Sequence, residues 1–146
     1  ELASDWFDGG IIKNCVSQAD ILGCNNVGGL VGSLHMSKVQ GCLSHGTASL
    51  YQGNAREMPA NGGGAVGSMV LGSIERCGTD TQVKTQDTAR IVGGFVGYYG
   101  GRMRDCLLLD RGDWKPVCYS HLDRPVSLET VDSQREFESR CRALNQ

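Results

Sequence analysis

Val27-Gly28-Gly29-Leu30-Val31-Gly32, Gly62-Gly63-Gly64-Ala65-Val66-Gly67 and Val92-Gly93-Gly94-Phe95-Val96-Gly97 are one motif written three times. Each box is followed by an apolar residue, two variable positions and a cysteine: Val39-Gln40-Gly41-Cys42, Ile74-Glu75-Arg76-Cys77 and Met103-Arg104-Asp105-Cys106. The first glycine of each pair, Gly28, Gly63 or Gly93, precedes its cysteine by 14, 14 and 13 residues. A degenerate fourth copy, Gly9-Gly10-Ile11-Ile12-Lys13-Asn14-Cys15, matches the second half of the unit, as if the start were cut from inside a longer array.

Moving outward, the in-phase cysteines Cys15, Cys42, Cys77 and Cys106 are spaced by 27, 35 and 29 residues, and the extra length falls in the loop 51–61. Variable insertions between constant cores are how stacked repeats accommodate loops. A flexible linker would lack this register, and the Gly-x-y period of collagen is absent. Interior glycine costs a helix about 1 kcal/mol relative to alanine. In a strand it marks a bend, a bulge or the close approach of another backbone. Each unit therefore reads as one coil of short strands and tight turns. The apolar residue and the cysteine stand three apart, which on a regular strand would put them on opposite faces. Either a corner lies between them or both faces are buried.

Composition agrees with a single domain. Of 146 residues 21 are glycine and 3 proline, and 14 Lys and Arg balance 16 Asp and Glu. That near-neutral balance, without a basic run, argues against nucleic acid as a partner. No apolar run is long enough to span a bilayer, so no direct membrane insertion is expected. No basic stretch followed by an apolar core opens the chain, so no signal peptide is visible. Twenty glycines lie in residues 1–101 and only Gly112 follows them. Charge shifts the other way, with 14 charged residues in 1–101 and 16 in 102–146.

The three Gly-Gly-x-Val-Gly boxes with their downstream Ile-x-x-Cys, and Ile12-Lys13-Asn14-Cys15 in particular, resemble the GLUG repeat. That family occurs in large bacterial surface and secreted proteins, including filamentous-haemagglutinin-like adhesins and the non-catalytic part of IgA peptidases. The resemblance covers about residues 6–112 and implies a β-solenoid-like architecture. The chain departs from the family where Gly78 follows Cys77 and Leu107 follows Cys106, and in the third unit, which is one residue short.

The in-phase cysteines are expected to form an internal ladder of buried free thiols, since stacked strands lie about 4.7–4.9 Å apart and cysteine buries as a small apolar residue. Cys24, Cys118 and Cys141 stand outside the ladder, and Cys118–Cys141 is the pair to test for a disulfide. The cysteines and the three histidines, His35, His45 and His121, show none of the close pairing of a metal site, so no metal and no cofactor is expected. In the tail, Ser133 with Glu136 forms a capping box, although Asp132 would serve equally as N-cap. Phe137, Cys141 and Leu144 then make one apolar stripe on a helix that must dock on something to be stable. The natural dock is the open end of the array.

The expected fold class is therefore all-β: a short β-solenoid of stacked Gly-rich repeats over residues 1–112, with a C-terminal connection and an α-helical cap over 113–146. The expected function is a non-catalytic stalk, adhesion or partner-binding module of a larger secreted or cell-surface bacterial protein. Its partner would be a protein or a glycan, met by Tyr51, Tyr98 and Tyr99; the competing and preferred reading packs Tyr98 and Tyr99 over a Gly100-Gly101 turn. The alternative is a glycan-active or cysteine-dependent enzyme domain, including an effector delivered into a host cell. Its candidates are Cys118 and His121 with Asp123, or the acids Asp80, Asp87, Asp110 and Asp113 with Arg102, Arg104 and Arg111. Neither His-Glu-x-x-His, Gly-x-Ser-x-Gly, nor a phosphate-loop motif is present.

Overall fold

A computed structural model describes residues 10–23, 25–50, 61–85, 91–120 and 126–144. Among these residues the structure is mostly β, a parallel sheet that curls on itself, with one helix at the C-terminal end. Every strand pair among the described residues is parallel, and each strand pairs with its counterpart in the neighbouring repeat, so the strands stand in four columns.

The first column is a three-stranded sheet of β3 (Asn26–Gly28), β7 (Asn61–Gly63) and β11 (Ile91–Gly93). The second holds β4 (Val31–His35), the start of β8 (Val66–Glu75), the start of β12 (Val96–Leu109) and β13 (Val117–Ser120). Its register runs Val31, Val66, Val96, Val117. The third column begins at β1 (Ile11–Lys13) and continues through β5 (Lys38–Gln40), the end of β8 and the middle of β12. The fourth contains β2 (Val16–Gly23), β6 (Leu43–Leu50), β9 (Gly78–Thr79), β10 (Gln82–Thr85), the end of β12 and β14 (Val126–Val131).

The glycine boxes are required by crowding. A Cβ on Gly29 would lie 2.3 Å from the Gly64 carbonyl oxygen, and one on Gly64 would lie 2.3 Å from that of Gly94. The corner question is also settled. Asn14, Gly41, Arg76 and Asp105, each just before an in-phase cysteine, all have positive φ, at 55°, 63°, 52° and 54°. A left-handed residue turns the chain between the third and fourth columns. The apolar residue and the cysteine thereby both point inward, so Val39, Ile74 and Met103 share one core with Cys42, Cys77 and Cys106.

Hydroxyls break the apolar run between the second and third repeats. Ser44 donates to Thr79 at 2.6 Å, and Thr81 donates to Ser44 at 3.0 Å, all three buried. At the first column Asn61 Nδ2 donates to Asn26 Oδ1 at 2.9 Å.

Three expectations are corrected. Gly100 and Gly101 are not a turn but lie within β12, at a register shift against β8. Parallel pairing does not stop where glycine runs out at residue 112. Lys115 and Pro116 accept from Gly94 and Phe95 as Gly94 and Phe95 accept from Gly64 and Ala65, and β13 and β14 add a fifth layer. Finally, α1 (Gln134–Leu144) lies along the flank of the fourth column, not over the open end. Phe137 and Cys141 pack there against Leu107, Leu109, Val131 and Leu43, drawn from three different layers. Gly78, in the middle of this face, leaves the hollow they fill: a Cβ there would meet the Cys141 sulfur at 3.2 Å and the Phe137 ring at 3.5 Å. Burying Phe137 completely contributes roughly 1.5–3 kcal/mol. Ser133, not Asp132, is the N-cap, with its Oγ accepting from the Glu136 amide at 3.2 Å.

Candidate functional site

The cysteine ladder is built from the corner residues that precede it. Cys42, Cys77 and Cys106 are buried, while Cys15, in the first layer, is exposed. Each donates toward the carbonyl two residues back, Cys15 to Lys13, Cys42 to Gln40, Cys77 to Glu75 and Cys106 to Arg104, at 3.3–3.5 Å. Burial pushes the Cys77 and Cys106 thiols up to about 12 and raises Cys42 as well. These are inert packing groups, the opposite of reactive thiols, which need a lowered value and access.

Cys118 is an exposed free thiol on β13, and Cys141 is a free thiol buried beneath α1, so the two are not joined. His121, Asp123, Cys24, Tyr51 and Asp87 lie outside the described residues.

The carbohydrate-cleaving candidates scatter. Arg104 pairs with Glu75 at 2.5 Å and Arg111 donates to the Asp80 carbonyl at 2.8 Å, while Arg102 is exposed. Asp110 and Asp113 do meet beside Trp114, but around a cavity of about 20 Å³. That is space for about one water, against the roughly 300–1,000 Å³ of a small-molecule site.

Folding assembles one set the sequence did not suggest. Asp80 is buried, accepts from Gln134 Nε2 at 2.7 Å and lies 2.8 Å from His45 Nδ1. Cys141 borders the same recess as His45. A cysteine, a histidine and an orienting aspartate outline a nucleophilic triad. The chemistry runs against it, because burial first, then the charges of Asp80 and Glu138, push the Cys141 thiol up to about 11. The cluster instead fastens the first turn of α1 to the sheet.

The tyrosines separate cleanly. Tyr99 is wholly buried in the core and is corrected from contact residue to packing residue. Tyr98 is half-buried on the outer face and stacks on Tyr119, with ring centroids 5.1 Å apart and planes at 19°. Tyr119 is 49% exposed, and Val70 and Met36 on the same column are 37% and 36% exposed. The row Ser33, Ser68, Tyr98, Tyr119 is continuous across four layers. Tyr119 was legible in principle, since Val117-Cys118-Tyr119 repeats the spacing of Val96-Gly97-Tyr98.

Among the described residues no group of three or more His, Cys, Asp or Glu is placed to hold a metal ion, and no helix is long and apolar enough to cross a membrane. Compared with protein-family models, curated proteins and solved structures, the chain matches none.

Proposed function

We propose that this chain is a non-catalytic module, a short β-solenoid of GLUG-like repeats from a larger secreted or surface-exposed bacterial protein. It presents its second column to a protein or glycan partner. The observation that carries the reading is the lateral strip of Met36, Val70, Tyr98 and Tyr119. The other strongly exposed apolar side chains among the described residues, Ile11, Ile12, Val16 and Leu22, all lie in the first layer. Exposed aromatic and apolar groups gathered on one face are typical of recognition surfaces.

Support for the solenoid comes from the pairing of each strand with its neighbours one repeat away, in parallel and in register. Excising residues 42–76 joins Gly41 to Cys77 and removes one period. A solenoid without one layer still folds cooperatively, because each layer touches only its neighbours. A product that stays unfolded overturns the architecture. For the surface, Tyr119→Ser with Val70→Ser is compared with the parent chain on glycan arrays and on host-cell monolayers. Retention of the parent's signal by a folded double variant overturns the assignment of the face, and a parent chain that retains nothing overturns the adhesive reading.

A further inference from the structure

The turn between β12 and β13 carries Arg111-Gly112-Asp113, set between Asp110 and Trp114. The box glycines are demanded by crowding, and Gly112 is not. A Cβ there would meet nothing within 4 Å, so what selects glycine is the left-handed backbone, with φ 77°. The turn is tied down at three points. Asp110 accepts from the Gly112 amide at 2.8 Å, Arg111 donates from one guanidinium nitrogen to the Asp80 carbonyl at 2.8 Å, and the Trp114 indole donates to the Val83 carbonyl at 3.0 Å. Arg111, Gly112 and Asp113 are all exposed.

The two charges do not neutralise each other. No ion pair within 4.0 Å joins Arg111 to Asp113, and Asp113 has no hydrogen-bond or ion-pair partner among the described residues. The Asp80 carbonyl takes one donor of the guanidinium fork and leaves its charge in place. Opposite charges two residues apart, kept separate on an exposed turn, require a partner with an acid on one side and a cation on the other. A carboxylate with both oxygens free is a ligand for a divalent cation that has an open coordination position. Because the turn is already fixed by the sheet beneath it, docking costs it little ordering. Arg-Gly-Asp on an exposed turn is what receptors of the integrin class read through this pair of features.

We infer that the turn at 111–113 docks on a cell-surface receptor of integrin type, with Arg111 in an acidic slot and the Asp113 carboxylate on a divalent cation held by the receptor. The inference rests on the reading of the chain as a surface-exposed module, but it uses none of the residues of the tyrosine strip.

The test is binding of the full chain to the immobilised ectodomain of the vitronectin-receptor integrin in magnesium buffer. The parent is expected to bind saturably, to be displaced by a cyclic Arg-Gly-Asp peptide and to be released by EDTA. Asp113→Glu keeps the charge at an exposed position without a partner, and moves the carboxylate by one methylene. It should melt like the parent and bind about tenfold or more weakly. Tyr119→Ser with Val70→Ser should bind the receptor as the parent does. No saturable binding by the parent, binding that survives EDTA or the cyclic peptide, or a folded Asp113→Glu chain that binds like the parent each overturn the proposal. Loss of receptor binding in a folded tyrosine-strip variant overturns it too, since the turn would then not be the contact. The glycan-array and cell-monolayer result for the strip is read separately and stands whichever way the receptor answers.

Discussion

Gly64 and Gly94 occupy the same place in successive copies of one motif, yet they live under different constraints. Above Gly64 stands the Gly94 carbonyl, 2.3 Å from where a Cβ would be. Above Gly94 stands Lys115, whose carbonyl is 3.7 Å from that point, and the nearest atom is a movable Leu108 methyl at 3.2 Å. The lesson is that glycine marks a layer with another tightly seated on top of it. The fifth layer carries Lys115 and Pro116 where the others carry glycine and Leu30, Ala65 or Phe95, because no described strand pairs with its outer side. The end of the glycine-rich composition and the end of the sheet are therefore offset by one layer.

The comparison breaks first at the residue beside the second glycine. Phe95 is fully buried, and Phe95→Ala should cost about 4 kcal/mol, read as a lower urea midpoint at unchanged slope. Its counterpart Pro116 is only partly buried, and Pro116→Ala should cost below about 1 kcal/mol. Similar costs at the two positions would mean that the fifth layer is as integral as the fourth. Next comes the glycine itself. Gly64→Ala must move a backbone carbonyl and should cost about 3 kcal/mol, whereas Gly94→Ala needs only a small shift of Leu108 and should cost below about 1 kcal/mol. Equal effects would show that conformation, not crowding, selects these glycines.

The cysteines sharpen the contrast between interior and end. Cys77 and Cys106 keep their protons to about 12 in the fold, against an ordinary value of 9.0. A raised value favours the folded state at low pH, so this stability is complete below about pH 9 and is lost as pH climbs toward 12. Each thiol steepens the decline by at most about 1.4 kcal/mol per pH unit. Urea midpoints measured from pH 8 upward should fall more steeply in the parent than in Cys77→Ala, and parallel curves would deny the effect. The mildest probe is a thiol reagent at neutral pH. Cys15 and Cys118 should label in the folded chain, while Cys42, Cys77, Cys106 and Cys141 should label only on unfolding, as peptide mass mapping would read.

Periodicity made the inner layers legible. The Gly-Gly boxes and the cysteine phase located the stacked strands, and the three-residue offset from Ile74 to Cys77 posed the corner that Arg76 turns. The fifth layer escaped because its strands carry none of the glycines by which the unit was recognised. Ser133 and the stripe of Phe137 and Cys141 announced the helix, but not where it would lie. Its seat is the hollow at Gly78, an unremarkable glycine until Leu43 and Leu107 are placed on either side of it. The His45–Asp80–Gln134 cluster joins residues from distant repeats and the tail, and no spacing along the chain encodes such a meeting.

The hydroxyls between the second and third repeats bear on a hazard of self-similar chains, the pairing of a strand with the wrong copy of its partner. In register Ser44 meets Thr79, but one repeat later the same position is Leu108. A chain that skipped a layer would set Ser44 against leucine and forfeit its bonds with Thr79 and Thr81, at about 1 kcal/mol for each bond. Asn26 would likewise face Ile91 in place of Asn61. These two polar rungs number the layers, distinguishing one interface from the next in an otherwise repetitive text.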